Sequence, residues 1–282
     1  ANLVLLYTMI YKHRRYIITI LSILLLSYGS NAELKNTPVS PALMTQSNDF
    51  IKIVVNDEEV DKGRFSIETT EGDPGRISDN NKPLIFGRPK PWTSYTTIQI
   101  NNESFVFGSA TKKRAGKTAK YGKITSQKST NKGIETITQI GDINAVQRLS
   151  FVRNPLTRVK DMVLIEYSVK NTSPSTKNIG IRIMLDTMLG KNDAAPFRIG
   201  NKAYQSEQSF QGTSQASFWQ TFDSLTTPNI IAQGNLESRA LSVSKPDRVI
   251  LANWGTLADS PWNFTVKEGR SFIRAGEMEK DT

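Results

Sequence analysis

From Ile51 onward the chain alternates apolar and polar positions in short runs, broken by clusters of Gly, Pro, Asn and Asp. This is the signature of an antiparallel all-β protein. The clearest runs lie mid-chain. Val163, Ile165, Tyr167 and Val169 share one face, and so do Ile179, Ile181, Ile183 and Leu185, opposite Gly180, Arg182 and Met184. A period of two predicts strands with one buried face. The polar stretch Asn171–Lys177 between them predicts that the two pair as a long hairpin. Residues 51–55 and 64–69, on either side of an acidic turn ending in Gly63, predict a second hairpin. Residues 95–100 and 104–107, around Asn101-Asn102-Glu103, predict a third. Further strands are expected at 133–140, 146–152, 229–233, 248–253 and 271–274. No window predicts a helix longer than about two turns.

The N-terminus has a different pattern. Met9 is the first plausible start, and residues 1–8 read as translated sequence upstream of it. Lys12, His13, Arg14 and Arg15 form a basic head, and an apolar run of about 13 residues, Tyr16–Tyr28, follows. Ser30 and Ala32 place small residues at −3 and −1 of a cleavage point. These are the parts of a secretory signal peptide, and the run falls short of the roughly 20 residues that span a bilayer. Cleavage after Ala32 predicts a secreted, periplasmic or cell-surface protein with no membrane span. Residues 1–32 are then an upstream extension and signal peptide, 33–50 a linker, and 51–282 one β-sandwich domain. The chain closes on Glu277-Met278-Glu279-Lys280-Asp281-Thr282 with no strand pattern, so the sandwich is expected to lack its last strands.

Composition narrows the chemistry. The chain carries 36 Lys+Arg, 26 Asp+Glu, one histidine and no cysteine. Three of the basic residues and the lone His13 fall within residues 1–32, which leaves 33 basic residues against 26 acidic ones. A mature protein without imidazole or thiol has no His- or Cys-ligated metal centre. It also has no Ser-His-Asp or Cys-His nucleophile. Without disulfides its stability rests on its core.

Four features carry candidate chemistry. In Leu185–Phe197 a strand runs into a loop holding Asp186, Asn192 and Asp193. These oxygen donors suit Ca²⁺, and they equally suit a strand end and an Asx-turn. Residues 111–132 hold Lys112, Lys113, Arg114, Lys117, Lys120, Lys123, Lys128 and Lys132 with no acid. Such a stretch attracts an anionic polymer or forms a solvated edge that resists aggregation. With Tyr121 its only aromatic, it lacks the features of a nucleic-acid site. Trp92, Trp219, Trp254 and Trp262 lie in loop-like contexts beside Asn, Asp and Gln. There they serve either as stacking faces for sugars, at least one of them exposed, or as plugs of the core. A glycosidase needs two carboxylates about 5–10 Å apart, with Asp186, Asp193, Glu207, Asp223, Asp259 and Glu277 available.

Residues 63–70 (GRFSIETT), 91–97 (PWTSYTT), 184–197 with Asp186, Asn192, Asp193 and Pro196-Phe197, and Asn253-Trp254-Gly255 with Asp259 together resemble domains of bacterial exported proteins of unassigned role. The architecture also resembles the galactose-mutarotase-like supersandwich found in accessory domains of secreted carbohydrate-active enzymes. True mutarotases rely on catalytic histidines, which this chain lacks beyond His13. The resemblance implies a non-catalytic binding or structural module with carbohydrate as ligand. The alternatives are a carboxylate-dependent glycan hydrolase or lyase, and a subunit of a surface filament or envelope layer. No cofactor is expected apart from calcium, no site residue is assigned a catalytic role, and the oligomeric state is left open.

Overall fold

The computed structural model describes residues 2–10, 16–24, 43–212 and 216–272, and for 2–10 and 16–24 the backbone alone. The strands in chain order are β1 (Asn2–Ile10), β2 (Tyr16–Leu24), β3 (Leu43–Ser47), β4 (Ile51–Asn56), β5 (Phe65–Thr69), β6 (Pro83–Ile85) and β7 (Tyr95–Ile100). Next come β8 (Glu103–Val106), β9 (Lys120–Tyr121), β10 (Lys123–Thr130), β11 (Gly133–Ile140), β12 (Ile143–Val152), β13 (Met162–Asn171) and β14 (Ile179–Thr187). The last are β15 (Phe197–Ile199), β16 (Lys202–Tyr204), β17 (Gln208–Gln211), β18 (Phe218–Phe222), β19 (Ile231–Asn235) and β20 (Arg248–Asn253), followed by the short helix α1 (Trp254–Ala258).

Two sheets result. The first runs β17-β20-β1-β14, where β14 pairs on its far side with β7, which continues to β8 and β9. The group β6-β5-β4-β3 joins β14 at Thr187↔Ile85. The second runs β10-β11-β12-β13-β2-β19-β18-β15-β16. Neighbours are antiparallel apart from the short β8–β9 pair, so the chain is an all-β, sandwich-like fold.

Alternation decides which side chains meet. Ile181, Ile183 and Leu185 of β14 lie in one core with Leu149, Val163, Ile165 and Tyr167 of the second sheet. Phe107 meets Tyr167 edge-on at 5.5 Å. Each fully buried side chain of this kind contributes about 1.5–3 kcal/mol. The other face of the first sheet is covered too. Met184, Ile250 and Ala252 pack with Trp92, Tyr95, Trp254 and Leu257 into a second core.

Several expectations are met and others corrected. β4 pairs with β5 and β7 with β8, as their turns predict. β13 and β14 do not pair: one belongs to the second sheet and the other to the first, so residues 172–178 cross the sandwich. The outward row of β14 is buried, with Arg182 at 0% exposure and Gly180 beneath Trp262. The linker assigned to 33–50 yields to β3, which pairs with β4 across 43–47. Of the strand expected at 271–274, Ser271 makes a single bridge to Ser206, and 273–282 lie outside the described residues.

A candidate ligand groove at one end of the sandwich

Residues 120–123 carry the chain from the last strand of the first sheet to the edge strand of the second. At that corner β9 and β10 face the turns 101–102 and 141–142 and the crossover 172–178. Asn101 N–H donates to Asn178 C=O (2.7 Å) and Thr172 N–H to Asp142 C=O (2.8 Å), which holds the three together. Between them lies a groove of about 510 Å³, a size usual for ligand sites. Its apolar lining is Ile100, Ile140 and Ile143 with the half-buried rings of Phe105 and Tyr121; its polar lining is Glu103, Lys123, Gln139, Asp142 and Lys177. Gly122 lets the corner sit this close, since a Cβ there would be 2.6 Å from Ile140 Cγ1.

Each polar group has a definable state. Tyr121 Oη donates to Gly116 C=O (2.7 Å) and accepts from Arg64 Nη2 (3.2 Å), which anchors its ring in the wall of the groove. Burial pushes the Tyr121 hydroxyl pKa up, and the nearby Arg64 guanidinium opposes this. Glu103 is paired with Lys120 at 2.5 Å. Among the described residues, Lys123, Lys177 and Asp142 have no ion-pair partner. Two free ammonium groups, two rings, a carboxylate and an amide therefore surround one concavity. Two further concavities among the described residues hold ion pairs of their own. In the hollow beside β3, Glu68 is bound by Lys52 (3.3 Å) and Arg88 (2.7 Å). In the small one at 228–231, Arg76 meets Asp73 at 3.6 Å.

The basic stretch 111–132 turns out to have two roles. Its first half covers the second core: Lys113 lies 4.7 Å over Trp92, and Arg114 lies 5.7 Å from Trp254 while clasping Asp259 with two 2.8 Å bonds. Its second half forms edge strand β10 and delivers Tyr121 and Lys123 to the groove.

The tryptophans do not form a sugar face. Trp92, Trp219, Trp254 and Trp262 are 7, 0, 2 and 7% exposed, so the expectation of an exposed one is corrected. Trp92 and Trp254 meet edge-on at 5.5 Å. Trp254 donates its indole N–H to Thr93 C=O (3.2 Å). Trp219 stands on β18, not in a loop, against Phe197 at 5.7 Å. Each is a plug of the core.

The Asp186 loop lies at the opposite end of β14 from the groove, because Ile179 pairs with the groove residue Ile100 while Thr187 pairs with Ile85. Asp186 is 2% exposed within β14. Asn192 uses both ends of its amide, donating to Asp223 C=O just after β18 (2.8 Å) and accepting from Ala194 N–H within its own loop (3.0 Å). That is the Asx-turn use of the residue. Among the described residues, no cluster of three or more His, Cys, Asp or Glu could hold a metal ion. The other carboxylates are engaged as well. Glu207 is buried and clasped by Arg270 (2.6 and 2.8 Å), and Asp223 accepts from Asn229 and Ile230 N–H. Glu277 lies outside the described residues.

The signal that pointed to the groove was the basic stretch itself. Phe105, Gln139, Asp142 and Lys177 had none, since they come from four separate strands and turns. An antiparallel β-sandwich with a mixed ring-and-lysine groove at one end is the class that fold and site define. Comparison with protein-family models, with curated proteins and with solved structures found no match.

Proposed function

We propose that the protein is an exported, non-catalytic binding module of the cell surface or periplasm, and that its ligand is a glycan bearing carboxylate or sulfate groups, held in the end groove. The observation that carries this is the meeting of Lys123 and Lys177, neither of them ion-paired among the described residues, with the rings of Phe105 and Tyr121 in one concavity. Rings offer flat apolar faces to the CH side of a sugar, Gln139 and Asp142 offer partners for hydroxyls, and the ammonium groups discriminate for anionic substituents. Lys112, Lys117 and Lys132, exposed along the same stretch, add a positive field that speeds encounter with an acidic polymer. The resemblance to exported domains and the signal-like segment 9–32 support the location. Among the described residues no helix is long and apolar enough to cross a membrane.

The test is titration with acidic and neutral oligosaccharides at two salt concentrations. Binding of the acidic ones should weaken with salt. The Lys123→Glu, Lys177→Glu double variant should lose at least about tenfold in affinity, equivalent to 1.4 kcal/mol, while melting as the parent does. Failure of every glycan to bind, or binding indifferent to the double variant, sinks the proposal. Because the Asn192 amide is spent on Asp223 and Ala194, a chelator should change neither melting nor binding.

A second reading has its own observation: Glu103 and Asp142 line the same groove. Two carboxylates flanking a sugar are what glycoside hydrolysis requires. Product release from acidic oligosaccharides, abolished by Glu103→Gln, would establish it.

A further inference from the structure

Strands β1 and β2 occupy an unusual place. In the first sheet β1 lies between β14 and β20, with nine residues of β1 paired to Ile179–Thr187 and six to Arg248–Asn253. In the second sheet β2 lies between β13 and β19, with seven residues paired to β13 and three to β19. Both sheets are thus interrupted at the same level of the sandwich by an N-terminal strand. Among the described strands, those of residues 197–253 join the sheets of residues 43–187 through β1 and β2 alone. Of the two, β2 falls within the segment 9–32 that has the pattern of an export signal, and β1 falls largely in the upstream extension before it, so both lie in the residues 1–32 that the export reading removes.

Removing residues 1–32 would leave two gaps, each about 10 Å across, twice the strand spacing. Neither gap can be tolerated empty. β14 is buried along its whole length, and a buried backbone N–H or C=O left unpaired costs about 1–3 kcal/mol. Nor can the halves simply slide together, because the cores on both sides are already filled by Ile183, Leu185, Val249 and Leu251.

We propose that these gaps are strand-accepting sites which, once the export segment is removed, take two apolar strands donated by a partner polypeptide. This rests on the export reading above and not on the glycan reading. The sites define their ligand. The first sheet is buried on both faces at β14, so its donor is uncharged and mostly apolar, about nine residues long and antiparallel to β14. At the second, β13 alternates buried Val163, Ile165 and Tyr167 with partly exposed Leu164, Glu166 and Ser168, so its donor tolerates a polar residue at alternate positions. Residues 2–10 (NLVLLYTMI) and 16–24 (YIITILSIL) carry no charge and meet these terms, and they serve as the probe. Main-chain pairing gives such a site its affinity, and the alternate pockets give it selectivity.

The experiment uses the full chain with a protease site inserted between Ala32 and Glu33. After folding, the chain is cut and titrated with a labelled peptide of residues 1–24. The peptide should replace the cut fragment at one per molecule and keep the amides of β13, β14, β19 and β20 protected from exchange. A peptide with Leu5→Pro and Ile18→Pro, each lacking a donor that a central strand needs, should bind at least tenfold more weakly. If the body aggregates when the fragment leaves, rescue by the peptide and not by the proline peptide supports the sites, and no rescue overturns them. A cut body that sheds the fragment, stays monomeric and keeps those strands protected without peptide also overturns the proposal. So does a fragment that never exchanges, which would make β1 and β2 a permanent part of the sheets. Dimerisation on fragment loss would assign the donor role to a second copy and overturn the partner. Sequencing the N-terminus of the exported protein, expected at Glu33, tests the export reading separately. Groove titration on the uncut chain reads the glycan proposal independently.

Discussion

At the residue scale, both sheets bury polar groups, some of them completely. Tyr167 of the second sheet shares a hydrogen bond with Thr96 Oγ1 of the first (2.6 Å) and accepts one from Gln147 Nε2 (2.5 Å). Complete burial pushes its hydroxyl up to about 12, so it remains a neutral bridge between the sheets. Tyr167→Phe keeps the ring but leaves Thr96 and Gln147, each 2% exposed, without that partner. A loss of about 1–3 kcal/mol is expected, read as a lower urea midpoint. Asp161 gives a pH signature. Burial raises its carboxyl to about 6, against hydrogen bonds from Thr157 Oγ1 (2.8 Å) and Asn154 Nδ2 (3.3 Å) to one oxygen. In the unfolded chain the group titrates near 3.9. Below pH 4 both states hold the proton and the contribution is complete; between pH 4 and 6 only the unfolded state releases it, and stability falls by roughly 2–3 kcal/mol. Asp161→Asn removes that slope and is expected to be more stable than the parent at pH 7, as urea midpoints at pH 4 and 7 would show. The buried Arg182 explains why a charge sits in an apolar row: its guanidinium donates to Leu257 C=O (3.2 Å) and to Ser260 C=O, at the C-terminal end of α1.

At the element scale, strands were legible wherever polar and apolar positions alternated, because one face met the core and the other met water. That held for β11, β12 and β13. It misled at β14, where Gly180, Arg182 and Met184 looked solvent-facing. There a second layer, built from Trp92, Trp254 and α1 with Trp262 over Gly180, covers the outer face. Gly180 is the strand's concession to that layer, since a Cβ would stand 2.6 Å from Trp262 Cη2. Gly180→Ala is therefore expected to cost about 1–3 kcal/mol through overpacking, despite alanine's ordinary advantage in the chain. A lower melting temperature with a red-shifted tryptophan emission would report the displaced indole. The misread crossover has a similar cause: a seven-residue polar connection has the same composition whether it turns back within a sheet or passes to the other one.

At the scale of the whole molecule, the arrangement of strands matters more than their number. β1 and β2 bridge two halves of each sheet, so the cut-chain experiment probes the cohesion of the entire sandwich and not a local contact. The groove arises at a different point, the corner where the chain passes from one sheet to the other. Its lysines come from sequence-distant positions, 123 and 177, and the glycan titration is the corresponding test at this scale. The surplus of basic residues supplies a long-range field around that corner, while the local selectivity belongs to the groove's lining.

The sequence by itself determined the all-β antiparallel class, most strand positions, two hairpins and the absence of cysteine chemistry, because period-two patterning and composition are local properties. Residues 16–24 were legible as apolar and uncharged, which suits the core of an export signal as well as a central strand. Only the tertiary structure decided that the four tryptophans are enclosed, that Asp186 and the groove lie at opposite ends, and that residues 2–10 and 16–24 fall in the centres of the two sheets. Burial, end-to-end position and strand neighbours depend on which distant segments meet, and long-range pairing leaves no periodic trace along the chain.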